Sequence, residues 1–138
     1  MPEVKTGDWD FSDLQSRSDM HGAINFTYTK NCALEDCEIT CVGNHAVVLW
    51  DGTENARIDS CHLHRLGAGG VRISQSYPAY DPVCAVRGNV VTNCLIEDGG
   101  QRFLAACGVL IMHASDNEVS HNTIRDFYYS GISCGWIW

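Results

Sequence analysis

The chain has 138 residues, with 9 Lys+Arg against 17 Asp+Glu, and carries a formal net charge of −8 at pH 7 with histidine neutral. This length suits a single domain, and 45% hydrophobic against 19% charged residues supplies a core and argues against low-complexity disorder. The acidic balance argues against a nucleic-acid backbone or an anionic membrane as partner, and no apolar run approaches the ~18–20 residues that span a bilayer.

Met1 is not followed by a basic segment and an apolar run, so no signal peptide is read at the start. Residues 1–21 read as an N-terminal loop leading into a repeat that occupies residues 22–138. The repeat shows itself in the cysteines. From Cys37 the next anchors follow at 24, 33 and 28 residues: Cys61, Cys94 and Asn122. Three positions before each anchor stand Leu34, Ile58, Val91 and Val119. Two positions after stand Ile39, Leu63, Ile96 and Ile124. A leading frame recurs as Gly22-Ala-Ile, Ala46-Val-Val, Gly70-Val-Arg, Gly108-Val-Leu and Gly131-Ile-Ser. The period is 23–24 residues, with insertions near Gln75 to Val86 and Gln101 to Ala106.

Within a unit the apolar positions alternate, as in half-buried strands, and no helical period persists. Asn, Asp and Gly punctuate the units as turn residues. A leucine-rich repeat would require leucines that are absent. Short strands joined by tight turns instead predict an all-β fold, a parallel β-helix of about five partial coils. Stacking at ~4.8 Å per coil makes a stack roughly 24 Å long and buries a continuous core.

Eight cysteines invite a disulfide or zinc framework, but no C-x-x-C pair occurs. The register instead predicts an inward ladder of Cys37, Cys61 and Cys94, continued by Asn122 bonding backbone at a turn. Asn31, Asn55 and Asn117 are expected at another corner, where asparagine tolerates the left-handed conformation. No cofactor is implied.

Chemistry must sit on the outward positions. Glu38–His62 and Glu97–Arg125 are expected as charge neighbours on adjacent coils. His62 and His64 face one side and could bind a metal, but no third ligand is evident, so no metal is assigned. Four residues after the anchors come Cys41, Arg65, Asp98 and Asp126. Asp98 and Asp126 should therefore share a corner on adjacent coils, with Cα atoms about 5 Å apart. Carboxylates that close can divide acid and base roles, and retaining glycosidases hold theirs roughly 5–5.5 Å apart. Arg102, Phe127, Tyr128, Tyr129, Trp136 and Trp138 lie nearby in sequence, and aromatic faces beside acids suit a sugar. Equally open is that each aspartate only closes its own turn. No nucleophile elbow, Walker loop, zincin motif or dinucleotide fingerprint is present. Gly67-Ala-Gly-Gly reads as a corner between coils.

The segments HGAINF, NCALEDCEI, HLHRLGAGGVRI, IEDGGQRF and CGVLIMHASDNEVSHNTIRDFYYSGISCGW resemble the bacterial right-handed parallel β-helix proteins of glycoside hydrolase family 141. The resemblance spans about residues 21–138. It implies a right-handed parallel β-helix, activity on plant polysaccharides of the fucosidase or xylanase type, an extracellular or periplasmic setting, and a pair of catalytic aspartates. One carries over to Asp126 in RDFYYSGIS. The other lies, in the family, in a downstream Asp-Met-Gly-Gly coil beyond Trp138, so the chain looks like a fragment or a protein lacking part of the site. Asp98 remains the partner that stacking selects. Arg102, Tyr128, Tyr129 and Trp136 are the expected substrate contacts, with an oligo- or polysaccharide as ligand. A non-catalytic glycan-binding or self-assembling β-helix is the competing function. A pectin-type lyase, needing calcium and basic residues, suits this acidic chain poorly. The apolar Gly-Trp-Ile-Trp end, with no cap after it, predicts end-to-end stacking.

Overall fold

The computed structural model describes residues 20–75 and 81–135. The first coil contains β1 (Gly22–Phe26), β2 (Ala33–Glu35) and β3 (Glu38–Val42); the second, β4 (His45–Leu49), β5 (Arg57–Asp59) and β6 (His62–Leu66). The third contains β7 (Val71–Ser74), a 3₁₀ turn at Pro82–Cys84, β8 (Val86–Arg87), β9 (Val90–Thr92) and β10 (Leu95–Glu97). The fourth contains β11 (Cys107–Met112), β12 (Ala114–Ser115), β13 (Glu118–Ser120) and β14 (Thr123–Arg125), and β15 (Ser130–Cys134) follows.

Each coil contributes one strand to each of three parallel sheets. The first is β1-β4-β7-β11-β15, the second β2-β5-β9-β13 and the third β3-β6-β10-β14. β8 and β12 add a short pair on the side where the third coil is longest. The chain is thus an all-β parallel β-helix of four described coils plus one strand, slightly fewer than the five partial coils expected. Trp136 and Trp138, on which end-to-end stacking was expected, lie outside the described residues.

The core follows the repeat. Ile58, Leu63, Ile73, Val91 and Ile96 are fully buried, as are Val47 and Leu49. Removing each such side chain from water is worth about 1.5–3 kcal/mol. The anchor ladder forms as expected. Cys61 and Cys94 are buried, and their Sγ atoms donate to Asp59 O (3.2 Å) and Thr92 O (3.1 Å). Asn122 continues the row: its Oδ1 accepts from Cys94 N (2.9 Å) and its Nδ2 donates to Val91 O (2.8 Å). None of the eight cysteines is in a disulfide.

Three columns of left-handed residues turn the coils. They are Asn31, Asn55, Gly88 and Asp116; Asp36, Ser60, Asn93 and His121; and Cys41, Arg65, Asp98 and Asp126. Asn31 and Asn55 therefore hold the expected corner, but Asn117 does not. Asp116 takes that place, and Asn117 Oδ1 instead accepts from Asn89 N and Nδ2, both at 3.0 Å. The first rung also differs: Gly22 pairs with His45 rather than Ala46. That register sets Ile24 against Val47 and Phe26 against Leu49, so both apolar side chains stay inward. A shift of one residue would turn them out.

In β4 and β7 every residue is buried, whereas β6 and β10 alternate. The outward face of the third sheet is therefore where polar side chains of successive coils meet in the open.

Candidate functional site at the acidic corner and the third sheet

β10 and β14 pair with Glu97 opposite Arg125, so the residues that follow, Asp98 and Asp126, stack at one corner at coil spacing. Both are left-handed, with φ of 51° and 59°. Asp126 O accepts from Gly99 N (3.2 Å), which ties the two turns together. Beside them opens a cleft of about 270 Å³ lined by Asp98, Gln101, Asp126, Phe127 and Tyr128. Gln101 Nε2 donates to Asp98 Oδ1 and orients it. The Phe127 ring occupies the space that a Cβ on Gly99 would need, so glycine there lets the ring form one wall of the cleft. Tyr128 stands 66% exposed at the rim.

Not every expected contact joins this cleft. Arg102 sits on the neighbouring loop with its guanidinium 5.4 Å from the Phe103 ring centroid, and Arg102 and Tyr129 are not among the lining residues. Trp136 lies outside the described residues.

A charged network runs from this corner across the third sheet. Arg125 binds Glu97 (2.5 and 2.6 Å) and approaches Asp126 Oδ2 at 3.7 Å. His62 Nε2 donates to Glu97 Oε1 (2.9 Å). The hydrogen bonds from His62 and then Arg125 hold the Glu97 carboxyl below the usual carboxylate range. The Glu97–Arg125 pair is the one expected. Glu38, however, meets His64 Nε2 (2.8 Å) rather than His62, although Glu38 and His62 are aligned in register. Glu97 engages His62 from the other side, and the glutamate side chain is long enough to reach diagonally. The His62 and His64 rings stack with centroids 4.1 Å apart at 18°. Glu38, expected from the sequence as a charge neighbour of His62 but not as a possible ligand, is the third group beside the H-x-H pair. Its shared register with His62 was the available signal.

A second cleft, of about 300 Å³, lies between Tyr28, Lys30, Gly52, Glu54, Pro82, Val83 and Arg87. Its charges satisfy one another, since Glu54 pairs with Lys30 (3.2 Å) and Arg87 (3.4 Å). It falls beside the long insertion of the third coil, where the repeat gave no register to read.

The coil order, the parallel sheets and the inward ladder define a parallel β-helix protein. The model of a family described as a right-handed β-helix region matches residues 22–135, and the chain belongs to that family. No curated protein and no solved structure matches it.

Proposed function

We propose that this β-helix protein acts on a carbohydrate at the Asp98–Asp126 corner, as a glycoside hydrolase of the plant-polysaccharide type. The observation that carries this is the stacking of two carboxylates on adjacent coils beside a cleft walled by Phe127 and Tyr128. In glycoside hydrolysis one carboxylic acid protonates the departing glycosidic oxygen, and a second carboxylate attacks the sugar or activates water. The Phe127 and Tyr128 faces stack on the sugar ring, and Arg102 and Tyr129, outside the cleft lining, are the further sugar contacts assigned by this reading. The resemblance to glycoside hydrolase family 141 supports Asp126 as one of the acids and xylan or a fucosylated oligosaccharide as substrate.

Release of reducing sugar from those substrates tests the proposal. Asp126→Asn and Asp98→Asn should each lower the rate by about 10²–10⁴-fold, the usual contribution of a positioned acid or base. Turnover unaffected by both changes overturns the assignment. One observation favours glycan binding without turnover: the corner is open, with the Asp126 side chain 69% exposed, and nothing among the described residues shuts out water. Glycan affinity that falls in Tyr128→Ala, with no sugar released by the unaltered chain, is the result that reading expects.

A further inference from the structure

We propose that His62, His64 and Glu38 form a binding site for a zinc-type divalent transition metal on the outward face of the third sheet. The inference does not rest on the carbohydrate reading. His62 and His64 stand two residues apart on β6, so both side chains leave the same face. Glu38, from β3 one coil earlier, reaches across to His64. One ligand atom from each of the three lies within 4.8 Å of the others. A tetrahedral zinc with bonds of ~2.0–2.1 Å needs its ligand atoms roughly 3.3 Å apart, a closure that side-chain rotation alone can supply. The backbone beneath is fixed by parallel pairing of β3, β6 and β10.

The surroundings suit a cation. Ligation through His64 Nε2 takes the neutral imidazole with its proton on Nδ1, where Thr40 Oγ1 stands at 3.4 Å, so the proton changes ring nitrogen and the Glu38 carboxylate is freed from Nε2 to bind the ion. Behind His62 stands Glu97, itself clamped by Arg125. A carboxylate on the far nitrogen of a ligating imidazole fixes the tautomer and orients the ring. Two imidazoles and one carboxylate are borderline donors, suited to Zn²⁺, Co²⁺ or Ni²⁺, whereas Ca²⁺ and Mg²⁺ seek oxygen-rich sites. Three protein ligands also leave a fourth position for water.

Titration of the full, metal-free chain with Co²⁺ and Zn²⁺, followed by absorbance and calorimetry, decides the matter. One ion per chain is expected, with visible Co²⁺ bands and without the intense near-ultraviolet sulfur-to-metal band that cysteine ligation produces. His62→Ala and His64→Ala should each weaken binding at least ~10-fold, and Glu97→Gln by about 10–100-fold through loss of orientation. Cys41→Ser should leave affinity unchanged, and excess Ca²⁺ should not compete. Circular dichroism reports whether each variant folds. Glu38→Gln, at a side chain 63% exposed, provides the ligand test if a histidine variant unfolds. Absence of uptake, a sulfur band, or affinity unchanged in all three ligand variants overturns the proposal.

Discussion

At the scale of single residues, the anchor ladder shows how a small side chain can serve a solenoid. A thiol fills little space, tolerates burial and still donates weakly to the carbonyls at its turn. Burial also suppresses its chemistry: the Cys94 thiol is pushed up to about 11, and Cys61 is raised for the same reason. At pH 8 a thiol of that kind is thiolate in roughly one molecule per thousand, and the thiolate is the reactive form. Timed alkylation with mapping by mass spectrometry should therefore label exposed Cys41 and Cys134 first. Cys61 and Cys94 should react only once the chain unfolds, and labelling of Cys94 at the rate of Cys41 would contradict the packing account. This ladder was legible in the sequence because Cys37, Cys61, Cys94 and Asn122 recur with the apolar frame around them. The left-handed turns at Cys41 and Arg65 were not legible. Neither residue type favours that conformation, and the stack imposes it where Asp98 and Asp126 adopt it more readily.

At the scale of strands and corners, parallel pairing brought Asp98 and Asp126 together as the spacing implied, because Glu97 and Arg125 are aligned. Diagonal contacts escaped the sequence, since register fixes Cα neighbours and leaves long side chains a choice. That is why Glu38 meets His64, whereas Arg102, in the loop between β10 and β11 where no register applies, turns to the adjacent Phe103 ring. Another corner makes a direct test of inter-coil bonding. Asp59, the last residue of β5, accepts from Asn93 Nδ2 of the next coil (2.9 Å), from Ser60 Oγ (2.9 Å) and from Arg57 (2.6 Å). The Asn93 bond first, then those from Arg57 and Ser60, hold its carboxyl below the ordinary aspartate range. A carboxyl depressed in the folded chain stabilises fully above its unfolded value of about 3.9, and that contribution is lost as pH falls through the folded value. Asp59→Asn should thus lower the melting temperature at pH 7, and the gap to the unaltered chain should close as pH drops below about 4. A gap that is constant from pH 7 to pH 3 would mean that the Asp59 charge contributes nothing to the corner.

At the scale of the whole molecule, each coil buries its apolar side only against its neighbours. Stability in such a stack is the sum of coil and interface contributions, so it should be graded along the axis. The described coils are graded in burial. Ile58, Leu63, Ile73 and Ile96 of the second and third coils are fully buried, while Ile24, Leu34 and Ile39 of the first are only partly covered. At the other end Val119 and Ile124 are partly covered, and Ile132 on β15 is 50% exposed. Among the described strands, β1–β3 have a neighbouring coil on one side only, as do β13–β15 apart from chain connections. Local opening should therefore cost least at the two ends and most at the centre. Native-state hydrogen exchange should show the slowest amides in β4–β7 and β9–β10, and faster exchange in β1–β3 and β13–β15. The acidic corner lies on the boundary, with Asp98 on the third coil and Asp126 on the fourth. Exchange at Asp126 and Phe127 should exceed that at Asp98, so the two carboxylates would differ in how firmly the fold holds them. Uniform protection from β1 to β15 would instead mean that the stack opens as one cooperative unit.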